Sequence, residues 1–267
     1  MEPFVLSSKI DPYLRIASWE WKFPHLVVGM SIRTHQQRNY ALHVNDDPQR
    51  VIANRRFLTE ELSFPFESWT CGEQVHRAQI AVVGRDERGK GRYSRDDAFA
   101  DTDGLLTAES DILLTSFYAD CVPLFFYSPT IDMIGVAHAG WQGTVQQIGV
   151  KMVEKLLTLG AEKQEIVVAI GPSIGACCYE VDDRVADPIR QSLPKTNSNV
   201  LQPTRSGHYQ LDLKRTNQQL LLDAGLRSEQ IFVSKRCTSC EDHLFFSHRK
   251  QAGQAGRMVA FIGKKGG

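Results

Sequence analysis

Met133-Ile-Gly-Val-Ala-His-Ala-Gly-Trp-Gln-Gly-Thr144, continued through Leu159-Gly160 to Ile166-Val-Val-Ala-Ile170, is the stretch that decides the fold class. Residues 133–137 form a short apolar run of the kind that makes a buried strand. Apolar residues then recur at 145, 148, 152, 156 and 159, which keeps them on one face of a helix, and Gly160 supplies the stop. Residues 166–170 return to a strand pattern. Strand, helix and strand together predict a crossover unit with parallel strands. Working outward, further strands are expected at Ile112–Phe117, Val122–Tyr127, Ile231–Ser234 and Met258–Ile262, each an apolar run beside turn residues. A second helix is expected from Asp212 to Ala224, with Asp212 as N-cap and Gly225 as its end. The first hundred residues show few clear helices. The expected class is α+β, a layered sandwich with a mixed β-sheet.

Two segments read as excursions from a single domain spanning residues 1–267. Gly84–Asp97 carries nine charges in fourteen residues, too many for a core element, and residues 194–208 are rich in Pro, Asn, Ser and Thr. With 31 basic and 31 acidic residues, the chain lacks the positive excess of a protein that binds nucleic acid by neutralising phosphates. No run reaches 18 apolar residues, so no membrane span is expected. The first residues lack the basic start and apolar stretch of a secretory signal, and six cysteines, two of them adjacent, do not suggest a disulfide framework. The reading is a cytoplasmic monomer with no nucleic-acid or membrane partner.

Three residues have the chemistry of a metal site. Cys121 lies in Tyr118-Ala-Asp-Cys-Val-Pro123, where Pro123 implies a strand edge, bend or bulge. His138 ends the run 133–138 just before a Gly-rich turn into a helix, and His76 closes Cys71-Gly-Glu-Gln-Val-His76. One thiolate and two imidazoles suit a zinc-like ion and leave a fourth position open, the arrangement of a catalytic site. On the residues alone, the alternative is equally weighted: Cys121 as a small buried apolar residue and His138 as a hydrogen-bonded core histidine. The helix N-terminus after Trp141 is the preferred anion site. Asp120 is a candidate for orienting a ligand, Asp120 and Glu73 for the general acid, and Arg249 and Arg257 for pairing with an anion. Cys237-Thr-Ser-Cys240 has no evident second pair and is read as structural, as are Cys177 and Cys178, read as packed interior.

GMSIR (29–33), EQVH (73–76), ADCVPLFF (119–126), VAHAGWQG (136–143), AIGPSIGACCYEV (169–181), CT (237–238), FFSHR (245–249) and GRMVAFIG (256–263) occur in this order. Together they resemble the YfiH purine nucleoside phosphorylase family, once called polyphenol oxidase or laccase-domain proteins, some of whose members are called peptidoglycan editing factors. The resemblance runs from about residue 29 to 263. It implies a fold related to a toxin cysteine deamidase. It also implies a cytoplasmic enzyme that cleaves adenosine, inosine, guanosine and methylthioadenosine with phosphate as co-substrate, and that deaminates adenosine. The implied metal is zinc or copper, held by the residues that correspond to His76, Cys121 and His138, which are also the implied catalytic residues. Asp120, Gln142 and Arg249 are the candidate substrate-binding positions. Gln142 stands where the family has arginine, His248 where it has tyrosine, and Thr34-His35-Gln36-Gln37 where it has two glycines.

Two other functions compete. A Cys121–His138 pair could hydrolyse an amide, such as one in a peptidoglycan precursor, and the Gln142 replacement is compatible with a purine-binding domain without turnover. A four-copper laccase is excluded by ligand supply: the chain has eight histidines and no His-x-His pair.

Overall fold

Along residues 113–118, Leu114 and Tyr118 enter one apolar core while Leu113 and Phe117 enter another. Along 122–128 the same period of two separates Phe125 and Tyr127 from Val122, Leu124 and Phe126. Strands that are apolar on both faces need cover on both, which sets the layering. A computed structural model describes the chain except for residues 7, 9, 10, 35, 194–198 and 267.

In chain order the strands are β1 (Phe4–Val5), β2 (Tyr13–Ile16), β3 (Leu26–Ser31), β4 (Trp69–Cys71), β5 (Gln79–Val82), β6 (Thr102–Thr107), β7 (Leu113–Tyr118), β8 (Val122–Ser128), β9 (Met133–Ala139), β10 (Val167–Ile170), β11 (Glu180–Asp182), β12 (Leu201–Arg205), β13 (His208–Leu211), β14 (Ile231–Val233) and β15 (Met258–Lys264). The helices are α1 (Ala17–Lys22), α2 (Pro48–Glu61), α3 (Trp141–Val145), α4 (Ile148–Thr158), α5 (Asp183–Ser192) and α6 (Leu213–Asp223). Asp47 caps α2 by accepting from the Gln49 N–H, with Pro48 at the first helical position. Asp212 caps α6 by accepting from the Arg215 N–H.

The strands form two six-stranded mixed sheets, β1-β2-β3-β15-β7-β4 and β14-β10-β8-β9-β6-β5, and a small sheet β11-β13-β12. Pairing is parallel for β4·β7, β5·β6 and β10·β14 and antiparallel elsewhere. One core lies between the large sheets, joining Leu14, Met30 and Ile262 to Phe125, Ile134 and Val136. A second packs α4, α5 and α6 on the outer face of the second sheet, and a third packs Leu58 of α2 with Trp69, Phe117 and Phe261 on the outer face of the first.

The architecture is therefore α+β with two large sheets, where the sequence suggested a single mixed one. Alternation shows that a strand is covered on both faces but not which strands pair. The crossover stands in a modified form. β9 and β10 are parallel, but β8 lies between them and is antiparallel to both. Its helix is broken into α3 and α4 by Gln147, whose φ of 60° lies in the left-handed region. Pro123 sits inside a central strand rather than at an edge. Its carbonyl accepts from the Gly171 N–H just past the end of β10, so the donor it lacks faces the finish of a ladder. In the segment expected to be a polar loop, residues 201–205 and 208–211 pair as a hairpin; residues 194–198 lie outside the described residues. No helix among the described residues is long and apolar enough to cross a membrane.

Two connections pass from the first sheet to the second: residues 72–78 between β4 and β5, and residues 119–121 between β7 and β8. They carry His76 and Cys121. The C-terminal end of β9 carries His138.

Candidate functional site

The connection holding His76 is shaped by close backbone contacts. A side chain at Gly72 would place its Cβ 2.4 Å from the Thr102 carbonyl, so only glycine fits. Gln74 and His76 both have positive φ, 58° and 63°. Gln74 locks the loop to β7 by donating to the Phe117 carbonyl at 3.0 Å and accepting from its N–H at 2.7 Å. Asp103 of β6 then gathers the rest. Its buried carboxylate accepts from the N–H groups of Val75, His76 and Arg77 at 3.1, 3.1 and 2.9 Å. The same carboxylate lies 2.8 Å from His138 Nδ1. One side chain thus places the backbone of one histidine and the ring of the other. Sequence reading missed Asp103; its signal is an acidic residue inside the otherwise uncharged strand Thr102-Asp-Gly-Leu-Leu-Thr107.

The ligand atoms of His76, Cys121 and His138 all lie within 4.8 Å of one another. The two imidazole centroids are 4.7 Å apart with the rings nearly perpendicular. Gly140 makes room for this convergence, because a Cβ there would sit 3.0 Å from Cys121 Sγ and 3.3 Å from the His76 ring. Burial disfavours charge on Cys121, but the imidazoles of His138 and His76 outweigh it and hold the thiol below its ordinary range. Burial likewise disfavours charge on His138, but the Cys121 thiolate and the Asp103 hydrogen bond hold it above its usual range. The electrostatics therefore favour a thiolate at Cys121. With Nδ1–H donated to Asp103, His138 keeps Nε2 for the cluster. One sulfur and two ring nitrogens at these separations fit a single zinc- or copper-class ion with a position left over.

The cluster opens into a cleft of about 690 Å³, within the range of sites for small organic ligands. Phe117, Trp141 and Tyr179 supply aromatic surface, while Arg184, Arg249 and Arg257 supply positive charge. His43 also lines the cleft; desolvation, then the charges of Arg257 and Arg95, push it down to about 4, so it is neutral at pH 7.

The other expected residues separate. Asp120 lines the cleft, but its two oxygens are taken by the Thr238 hydroxyl at 2.5 Å and the Arg249 N–H at 2.9 Å. Arg249 donates Nη1 to the carbonyls of Cys178 and Glu180, and Arg257 donates Nη1 to those of Ala255 and Gly256. Gln142 is exposed on α3 and is not among the lining residues. Glu73 turns away from the cleft to accept from the Asp101 N–H and pair with Arg95. α3 is five residues long, so its N-terminus offers less dipole than the unbroken helix expected after Trp141.

A second group corrects the reading of the other cysteines. Cys177, Cys178, Cys237 and Cys240 also bring their sulfurs within 4.8 Å of one another, so the CxxC pair has a partner pair. Cys177 is exposed and Cys178 half-buried rather than packed inside, and Cys240 is exposed as well. Both clusters could hold a metal ion.

The model of the family described as multi-copper polyphenol oxidoreductase laccase matches residues 23–265. YlmD of Geobacillus stearothermophilus, named a purine nucleoside phosphorylase, is 48% identical over 228 residues, 85% of this chain and 83% of that protein. YlmD of Bacillus subtilis, with the same name, is 43% identical over 238 residues, 89% and 85% of the two chains. The solved structure of the Geobacillus stearothermophilus YlmD matches with a TM-score of 0.95 at 42% identity, covering 100% of both chains. That of Bacillus licheniformis YfiH, described as a hypothetical protein, matches with a TM-score of 0.94 at 38% identity over 99% and 100%.

Proposed function

This chain belongs to the multi-copper polyphenol oxidoreductase laccase family, and from that membership we propose that it is a metal-dependent purine nucleoside phosphorylase. The observation that carries the reading is the 48% identity to a protein named for that activity. The converging Cys/His₂ cluster at the foot of a nucleoside-sized cleft supports it. The multi-copper chemistry in the family's description does not fit the donors. Among the described residues only two groups could hold a metal, and only one of them contains histidine.

His76, Cys121 and His138 hold the ion, zinc or copper. When bound, it supplies Lewis acidity to polarise an oxygen or activate water. The chain's own residues do the rest. Trp141, Tyr179 and Phe117 give the purine an apolar, stackable wall. Arg249 and Arg257 commit only Nη1 to the backbone, leaving their other N–H groups for phosphate. Asp103 keeps His138 oriented. Adenosine, inosine, guanosine and methylthioadenosine are the proposed substrates, with adenosine deamination as a side reaction of the same cleft. Gln142 lies outside the lining, so its replacement of arginine leaves the residues that form the cleft unchanged.

Incubation of metal-replete protein with adenosine, with and without phosphate, followed by chromatography tests the proposal. Phosphate-dependent adenine is expected; neither adenine nor inosine would sink it. A second reading, an amide hydrolase, is favoured by the line Cys121–His138–Asp103, which has the order of nucleophile, base and orienting carboxylate. Chelation separates the two: it stops the phosphorylase and spares the hydrolase.

A further inference from the structure

β10 and β14 run parallel as neighbours, with Val168 opposite Ile231 and Ile170 opposite Val233. The segments that follow them therefore leave the same end of the sheet side by side. The pairing continues past the strands: Ser173 bridges Cys237, and the Thr238 N–H donates to the Ser173 carbonyl at 3.0 Å. This sets Gly175-Ala-Cys-Cys178 against Cys237-Thr-Ser-Cys240. We propose that Cys177, Cys178, Cys237 and Cys240 bind one zinc-class divalent ion in a closed structural site, separate from the cleft cluster.

Cys240 Sγ lies 3.5 Å from Cys177 Sγ and 3.4 Å from Cys178 Sγ. These separations exceed a disulfide bond of about 2.05 Å. They approach the roughly 3.8 Å between sulfurs that tetrahedral bonds of about 2.3 Å would give. The Gly175 N–H donates to Cys237 Sγ at 3.2 Å, and the backbone N–H groups of Ser239 and Cys240 face the same sulfur. Donors converging on a sulfur stabilise the thiolate that a metal ligand must be. A Cβ at Gly175 would lie 3.2 Å from both Cys177 Sγ and Cys237 Cβ, so glycine lets the two loops close. The Lys214 ammonium, donating to the Arg236 carbonyl, brings positive charge beside a cluster that becomes anionic when loaded. With four sulfurs and no open position, the donor set is that of a structural ion. Its consequence reaches the cleft, because the Cys178 and Glu180 carbonyls hold Arg249.

Zinc bound per chain, measured after reduction, zinc loading and desalting, tests the site. Cys240→Ser is expected to carry one ion fewer than the wild type, and Cys178→Ser the same, whatever the cleft cluster holds. Cobalt loaded into the Cys121→Ser protein should give intense thiolate-to-metal absorption that Cys240→Ser abolishes. Circular dichroism checks that each variant folds; should Cys240→Ser not fold, the cobalt spectrum of folded Cys121→Ser decides. Unchanged zinc in folded Cys240→Ser overturns the proposal. So does a deficit of two thiols in wild-type protein purified without reductant, unfolded in chelator and restored by reduction, since that marks a disulfide.

Discussion

Cys121 and Cys240 each sit among potential ligands, yet their surroundings differ. Cys121 lies where the chain passes between two sheets, with His138 3% exposed beside it and Asp103 bracing both histidines. Cys240 is exposed on a loop, and its neighbours are held by the register of two parallel strands. The first cluster is supported by a hydrogen-bonded carboxylate and opens to a cleft; the second is built almost entirely of sulfur and closes on itself. A rigid, incomplete ligand set serves chemistry, and a complete one on loops serves architecture.

The sharpest way to break this contrast is Cys121→Ser. Loss of the thiolate should cost more than about 100-fold in activity, beyond what removing a supporting group does, together with the cleft's metal. Turnover above a tenth of wild type in the phosphorolysis assay would remove Cys121 from the site. Next comes Asp103→Asn, which keeps the shape but replaces one acceptor oxygen with a donor. A drop of about 10–100-fold in kcat and in metal affinity is expected, with far-UV circular dichroism unchanged. Gly140→Ala should follow at about tenfold, since its methyl group would press on Cys121 Sγ and the His76 ring; metal titration alongside kcat would show whether both fall together. Cys240→Ser should leave turnover within a few-fold and lower Tm by several degrees, a shift expected for about 1–2 kcal/mol in a chain of this size.

A pair remote from both clusters gives the baseline. Asp132 accepts from buried Lys264 at 2.6 Å. Burial raises the Asp132 pKa, but Lys264 outweighs it and holds the carboxyl below its ordinary range. The folded value is the lower one, so the pair's stabilisation is complete above the usual carboxylate range and is lost as pH falls through the folded value. More than half of the Asp132 side chain is exposed, and water screens the pair, so the effect is under about 1 kcal/mol. Urea midpoints of wild type and Asp132→Asn should converge as the pH drops below 4; a constant gap would contradict the assignment.

The strands legible in the sequence were those buried on both faces. Residues 113–118, 122–128, 133–139 and 258–264 are mostly apolar and buried throughout, the pattern of a strand covered on both faces. Short outer strands such as β1 and β4 carry too few residues for a pattern. α2 buries only Val51, Arg55, Leu58 and Thr59 of its fourteen residues, too narrow a stripe to stand out, although Asp47-Pro48 marked its start. At the site, His76, Cys121 and His138 could be named because their side chains are of metal-ligating types. Asp103 could not, because its role is fixed by three backbone donors that only the folded loop presents. Cys177 and Cys178 read as interior because their partners are more than fifty residues away and meet them only through the β10·β14 register.

His76 and Cys121 both lie on passages between the two large sheets, and this has a consequence for how the protein folds. The donor set is anchored chiefly on the second sheet, since Asp103 of β6 holds residues 75–77 and Cys121 directly precedes β8, which pairs with the β9 strand that carries His138. The contacts that assemble it are distant in sequence, and such contacts form late because the chain entropy of closing them comes first. The three side chains therefore converge once β6, β8 and β9 have paired, and the Gln74–Phe117 contacts then tie the cluster to the first sheet.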